Sequence, residues 1–426
     1  MRVIADFHTH SRFAMACSSR ITIGGLELAA KEKGIKLMGT SDFLHSAWLS
    51  EMEANLEPIN DSELFRIKGS DTGIRFMLTG EVSTVFTGKD GKAKAIHHII
   101  MLPTIESVKD LRSSLERYGK LDSDGRTPLS MSAAELVEKV FQVDKRAFVF
   151  PAHVWTPFFG ALGARSGFDS LKDAYEDQEK HIHALETGLS SDPEMNLRIS
   201  ALDKYTLLSN SDMHSLPKLG REANMFEFDE KDFTYESVVN AIHNKDARHL
   251  KKTIEFYPEE GKYHFDGHKD CGYSADPTAN RPTVCPVCGK KLVIGVLHRI
   301  NDLADRQPGY APKDAIPSVH IVPLREIISY VIKKGAMTMA VEKQYQLMIS
   351  TFGSEFDILM DANLEDIAKA SSEDMAEAIK NVRENKVNIL PGYAGIFGEV
   401  GLLNRHKGRT NTLGIKQKSL FDVPKA

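Results

Sequence analysis

Short apolar runs alternate with helical-period stretches from the N-terminus to about residue 250. Residues 3–7, 36–40, 76–85, 95–102, 147–151, 183–187 and 206–209 read as strands, because each is a brief apolar segment bounded by turn-forming residues. Residues 25–33 and 133–142 read as helices between them. The second opens on Ser132 with Glu135 three positions on, the spacing of a capping box. Strands alternating with helices predict an α/β architecture with parallel strands.

That pattern breaks at 257–261 (YPEEG), where polar, turn-rich sequence surrounds a group of cysteines. Beyond Pro308 and Pro312 the periodicity is helical from 324 to about 385, followed by a glycine-rich stretch at 391–401 and a basic tail. Four regions are expected: an α/β domain over 1–256, a small metal-stabilised module over 257–300, a helical domain over 301–403, and a tail over 404–426.

Composition narrows the class only a little. The chain of 426 residues is 42% hydrophobic and 27% charged, ordinary for a soluble globular protein. No secretory segment and no membrane-spanning run is evident, so a cytoplasmic location, at the nucleoid, is expected and no membrane partner. The net charge of -5 argues against indiscriminate nucleic-acid binding but is silent on local patches. Arg405, His406, Lys407, Arg409, Lys416 and Lys418 form one such patch, readable as a solvated tail or as a phosphate contact.

Candidate chemistry recurs at the ends of the expected strands. His8 and His10 follow the first; Asp42 and His45 follow the second. Glu81 ends TGE, His153 follows 148–152, Glu186 lies in ALETG, and Asp212 with His214 follows LLSNS. Taken singly, each reads more readily as a satisfied core or surface polar group than as a ligand. Their recurrence at strand ends, twice as pairs two residues apart, is the arrangement of barrel enzymes, which carry their chemistry at the carboxyl ends of their strands.

The neighbours His97 and His98 are separated by register. Asp90-Gly91 reads as a two-residue hairpin turn between strands ending near Lys89 and starting near Lys92. Ser83 then faces His98 and Thr84 faces His97, so His98 shares the face of Glu81 and is expected as the ligand. Imidazoles and carboxylates together suit Zn²⁺, Mn²⁺ or iron, and clustered cations activate water and neutralise phosphoryl charge. Phosphoester hydrolysis is the natural use of such a set; a deacetylase-like or amidohydrolase reaction is the competing one.

Over residues 1 to about 250 this ligand order resembles the PHP (polymerase and histidinol phosphatase) family. The resemblance implies a distorted (β/α)7 barrel with a two- or three-metal centre. His8, His10, Glu81 and Asp212 would hold one ion, and Glu81, His98 and His153 a second. His45 and His214, with Asp42, would hold a third. The chain departs from that family after its H-x-H, where SRFAMACSS offers only Cys17 in place of a further His or Asp. The segments SDFLHSAW, PAHVWTPFFG, GFDSL, SNSDMHS, CPVCGKKL and PGYAGIFGEVG are similar to the endonuclease Q family across essentially the whole length. That likeness implies an endodeoxyribonuclease of DNA repair acting on duplex DNA. It would cut 5′ to uracil, hypoxanthine, xanthine and abasic sites, with His8, His10, Glu81, Asp212 and His214 in catalytic roles and Zn²⁺, Mg²⁺ or Mn²⁺ at the centre.

Three further features bear on this. Cys285-Pro-Val-Cys288-Gly aims two thiolates at one ion, and His268 with Cys271 repeats the two-residue gap, together a closed site of structural zinc with His264 as a rival fourth ligand. Trp48, Trp155 and Phe158 lie beside candidate ligands and read either as base-stacking faces or as rim packing. Gln417-Lys-Ser-Leu420-Phe421 resembles the peptide by which bacterial proteins bind the DNA sliding clamp. Two alternatives stay open: a phosphatase of small phosphate esters, and a non-catalytic repair scaffold.

Overall fold

The computed structural model describes residues 1–279 and 281–403. Arg2–Asp6 (β1), Leu37–Gly39 (β2) and Arg75–Thr87 (β3) pair in parallel. Ala93–Leu102 (β4) folds back antiparallel on β3, and Phe148–Pro151 (β5) lies antiparallel to β4. Ala184–Glu186 (β6) joins this edge through the Val154 N–H to Glu186 C=O bond at 3.1 Å and pairs in parallel with Thr206–Leu208 (β7). A bridge between Thr9 and Met213 carries the pairing back to the end of β1, so strand follows strand around a ring.

The apolar runs dictate this arrangement. Val3, Ile4 and Ala5 of β1 are all buried, as expected of a strand covered on both faces. Outside the ring, Ile23–Lys33 (α1), Ser46–Asn55 (α2), Ile105–Leu115 (α3) and Ala133–Val143 (α4) connect the strands. Helix α4 buries Ala133, Leu136, Val137 and Val140, the inward stripe of a 3.6-residue period. Both halves of its capping box form, between Ser132 and Glu135, a device whose loss costs about 1 kcal/mol.

The sheet does not stop at residue 256. Ala223–Glu227 (β8) and Leu250–Glu255 (β9) extend β1 outward as antiparallel strands, and Ser318–His320 then adds in parallel to β9. The stretch leading into the helical region is therefore stitched to the barrel sheet. The glycine-rich segment likewise returns: Asn388–Leu390 pairs with Glu399–Gly401, and Gly392 and Gly398 donate N–H groups to the carbonyls of Glu259 and Glu260. Between them stand the helices Leu324–Ile332, Met339–Phe352, Leu364–Ala370 and Glu373–Arg383. No described helix is long and apolar enough to cross a membrane.

One buried ion pair locks the helical region to the barrel. Lys33 at the end of α1 meets Glu355 at 2.8 Å, each side chain only 3% exposed. Glu355 also accepts the Leu324 N–H at 3.0 Å and the Tyr345 hydroxyl at 2.9 Å. Truncating one partner of such a pair leaves the other charge buried and alone, at a cost of about 3–5 kcal/mol. We expect Glu355→Ala to lower unfolding stability by an amount in that range, measured by denaturant titration; a loss within about 0.5 kcal/mol, as for an ordinary surface site, would show the pair to be dispensable.

Candidate metal centre

The segments that follow β1, β5 and β7 converge with the middles of β3 and β4, where Glu81 and His97 lie. There Glu81 stands between two sets of imidazoles. Its Oε2 lies 3.5 Å from His8 Nε2 and 3.3 Å from His10 Nε2. Its Oε1 lies 2.6 Å from His97 Nδ1 and 3.2 Å from His153 Nε2. Asp212 Oδ1 completes the first set, 3.1 Å from His10 Nε2 and 3.6 Å from His8 Nε2. Four ligands placed tetrahedrally at Zn–N/O distances stand roughly 3.4 Å from one another, close to these separations.

The donor atoms fit cations chemically as well. His8 Nε2 and Glu81 Oε2 are buried with no hydrogen-bond partner, which is costly unless something satisfies them. Imidazole nitrogens and carboxylate oxygens are the donors that Zn²⁺, Mn²⁺ and iron accept together. His8, His10 and Glu81 form one group and Glu81, His97 and His153 a second, with Glu81 common to both. His214 joins His10 and Asp212 in a third group that shares His10 with the first.

Behind these atoms a second layer fixes the rings. His8 Nδ1 faces the Glu186 carboxylate at 3.0 and 3.1 Å, and His10 Nδ1 faces Asp42 Oδ1 at 3.1 Å. Each Nδ1–H is thus committed outward and each Nε2 is turned inward with its lone pair. Glu186 is held in turn by the His153 N–H and the Asn210 amide, both at 2.8 Å. Asp42 also accepts the Ser11 N–H at 2.6 Å. Asp42, expected as a ligand, is therefore an orienting group, because both of its oxygens are spent on His10 and Ser11.

Electrostatics follow burial and these pairings. Burial opposes a charge on His10, but Asp42 and Asp212 outweigh it and carry its pKa up to about 9. His8 is likewise held well above its ordinary value against burial, by Glu186, Glu81 and Asp212. His97 goes the other way: burial brings it down to about 4, leaving the neutral ring that a metal needs. A cation entering the first set must displace protons, so its affinity falls as the medium is acidified. Asp42, His153 and Asp212 all sit at positive φ (26°, 30° and 44°), the kind of backbone strain that functional sites hold in place.

Several expectations are corrected here. His98 is not at the centre: β3 and β4 pair Ser83 with His97 and Val82 with His98. The turn has three residues, Lys89, Asp90 and Gly91, closed by the Gly91 N–H to Gly88 C=O bond, with Gly91 at φ 73°. The additional turn residue shifts the register by one and exchanges the faces of the two histidines. His98 instead lies 2.9 Å from Thr84 Oγ1 and 3.0 Å from the Tyr175 hydroxyl. His45 does not join His214; it caps α2 and stacks on Phe13 at 4.3 Å. Trp48 and Trp155 are core residues, their indoles donating to Thr40 C=O at 2.8 Å and Asn196 Oδ1 at 2.7 Å. Phe158 is 54% exposed, and its neighbour Phe159 stacks on His97 at 4.5 Å.

Sequence reasoning missed Arg126, whose Nη1 lies 3.6 Å from Glu81 Oε2. No periodicity or motif marks it, since it occupies an irregular loop between α3 and α4.

A second cluster gathers His268, Cys271, Cys285 and Cys288, with Cys288 Sγ 3.6 Å from His268 Nδ1. The strands Asp266–His268 and Tyr273–Ala275 present one half, and a turn with Gly289 N–H bonded to Cys285 C=O presents the other. His264 stays apart, against Phe265. Gln417, Leu420 and Phe421 lie outside the described residues, as does the basic patch.

Comparison with known proteins is decisive about kinship. The crystal structure of the lesion-specific endonuclease PfuEndoQ from Pyrococcus furiosus superposes with a TM-score of 0.83 at 35% identity, covering 96% of this chain and 98% of that one. The chain belongs to the endonuclease Q family. An endonuclease Q bound to a 27-mer duplex with an abasic lesion at its active site matches with a TM-score of 0.82 and 34% identity, over 97% of this chain and 100% of that one. The Bacillus subtilis protein YqxK is 27% identical over 412 residues, 94% of this chain and 99% of YqxK. The Methanocaldococcus jannaschii protein MJ0043 is 32% identical over 254 residues, 58% of this chain and 30% of MJ0043. The family model of the MJ0043 C-terminal domain matches residues 323–386.

Ion content separates the two histidines. Elemental analysis of His97→Ala should show loss of an ion from the barrel, whereas His98→Ala should keep the wild-type content and lose only stability. Equal content in both variants would refute the register argument. Cys285→Ala combined with Cys288→Ala should remove one further ion without touching those of the barrel.

Proposed function

We propose that this chain is a metal-dependent DNA repair endonuclease that hydrolyses the phosphodiester bond 5′ to uracil, hypoxanthine, xanthine and abasic sites. The observation that carries the reading is the two-sided Glu81, facing imidazoles through both oxygens, in a chain alike over its whole length to an endonuclease Q holding an abasic duplex. We assign divalent cations, Zn²⁺, Mg²⁺ or Mn²⁺, to His8, His10, Glu81 and Asp212 and to Glu81, His97 and His153. Structural zinc is assigned to His268, Cys271, Cys285 and Cys288.

When bound, the barrel cations would supply Lewis acidity to a phosphoryl oxygen and lower the pKa of an attacking water. The chain's own residues do the positioning. Glu186 and Asp42 keep the His8 and His10 lone pairs inward. His214 Nδ1 lies 3.0 Å from the Asp212 C=O, a bond that puts the proton on Nδ1 and leaves a lone pair on Nε2. Water oxygen bonds to phosphorus as the bond to the 3′ oxygen breaks, giving a 3′-hydroxyl and a 5′-phosphate on the lesion strand. Phe159, stacked on His97, and its exposed neighbour Phe158 offer faces to a displaced base or to the step it leaves.

The test is a labelled duplex with one uracil, hypoxanthine or abasic site, beside an undamaged control and p-nitrophenyl phosphate, with Mg²⁺ or Mn²⁺. A nick immediately 5′ of the lesion, abolished by Glu81→Gln, is expected. Hydrolysis of the small ester alone would replace the reading with a phosphatase, and turnover of neither would favour a scaffold. The tail adds a partner: we assign Gln417, Leu420 and Phe421 to the DNA sliding clamp, because Gln417-Lys-Ser-Leu420-Phe421 resembles a clamp-binding peptide. Clamp binding in a pull-down should disappear with Leu420→Ala and Phe421→Ala together; retained binding would remove the assignment.

A further inference from the structure

Arg126 is placed with more care than a surface arginine needs. Its loop is tied to the segment that follows His10: Gly125 N–H donates to Phe13 C=O at 3.1 Å, and Met15 N–H donates to Asp124 Oδ1 at 3.0 Å. On the other side Ser83 N–H donates to Thr127 C=O at 3.2 Å, two residues from Glu81. Gly125 presses on the orienting carboxylate of His10, since a Cβ there would come within 2.4 Å of Asp42 Oδ2. The loop is thus keyed to both the His10 strand end and the Glu81 strand. The guanidinium it delivers reaches Glu81 Oε2 yet keeps its side chain 22% exposed, at the open rim of the cluster.

A cation in this position has a partner only while Glu81 is free. Once Glu81 and Asp212 are engaged by divalent ions, the guanidinium faces other positive charges across the rim. Asp124 is a poor substitute, because its Oδ1 already accepts the N–H groups of Met15 and of Arg126 itself. What the filled site then lacks is an anion beside Arg126. The planar guanidinium fork matches two oxygens of one phosphate, and donors preset where charge develops are the strongest means of stabilising a phosphoryl transition state.

We infer that Arg126 is a catalytic residue whose guanidinium binds the non-bridging oxygens of the scissile phosphate once the ion set is filled, an assignment that rests on the endonuclease reading above. It carries charge onto the phosphate from the partly exposed rim, while Gly125 and Asp42 hold its loop in step with His10.

The test compares wild type, Arg126→Ala and Arg126→Lys as full chains. Arg126→Ala should keep the wild-type ion content by elemental analysis and lose roughly 10²–10³-fold in single-turnover nicking of the lesion duplex, the loss typical of one such donor. Arg126→Lys, which restores charge but not the fork, should fall between, and added guanidinium should restore part of the Arg126→Ala rate. Binding gives a readout independent of turnover. With Ca²⁺ and DNA verified uncut, the slope of log K against log salt should shrink by about 0.9, one phosphate contact. Full ion content with unchanged rate and slope would overturn the inference. Loss of ions in Arg126→Ala would overturn it too, making the residue a counter-ion that supports Glu81. A wild type that never nicks the lesion duplex would instead sink the endonuclease reading and take this assignment with it.

Discussion

A single carboxylate that must serve two neighbours is the constraint on which the site depends. Glu81 lies fully inside the protein, with His8 and His10 on one oxygen and His97 and His153 on the other. An isolated buried carboxylate would take up a proton, but here His97 and His8 overcome the effect of burial and hold its pKa well below the usual range. To keep that geometry the protein spends a second ring of acids, Glu186 and Asp42, on turning imidazoles. It accepts strained backbone at Asp42, His153 and Asp212. The sheet brings the segments after β1, β5 and β7 within reach of the middles of β3 and β4; the carboxylate sets what they must do there.

The outer elements are organised around the same need. β8 and β9 continue β1 away from the centre, and Ser318–His320 extends that edge, so the helical region shares a sheet with the first histidine strand. Lys33 and Glu355 add a buried charge pair at the same junction. The segment that leads into the cysteine cluster is joined to the glycine-rich stretch by the Phe265 N–H to Gly392 C=O bond at 3.0 Å and the bridge between Phe265 and Tyr393. A structure built this way is better described as three regions sewn together than as beads on linkers.

Much of this was legible in the residues. The strand positions and the capping box at Ser132 come from local patterns that tertiary packing did not override, whereas Glu81, expected at a strand end, lies in the middle of β3. What escaped was of three physical kinds. Asp42 and His10 share a strand-end setting, and nothing in spacing says which carboxylate turns a ring and which meets a cation. Trp48 and Trp155 are near ligands in sequence, yet each indole points into the core, where its N–H finds a fixed acceptor. Arg126 comes from a loop whose course is set by contacts with residues a hundred positions away, as Met15 and Asp124 show.

The turn at Lys89, Asp90 and Gly91 has a consequence out of proportion to its place on the surface. Its last residue lies six positions, roughly 20 Å at strand rise, from His97. Yet its length fixes which of two adjacent imidazoles, His97 or His98, meets Glu81. Its side chains touch nothing reactive, although Gly91 at φ 73° and Asp90, which accepts the Lys92 N–H, hold its shape. A change of register by one residue would bring His98 or Ile96, depending on its direction, to the position that His97 holds opposite Ser83. For this fold the count of residues in an exposed loop is itself under the control of the chemistry.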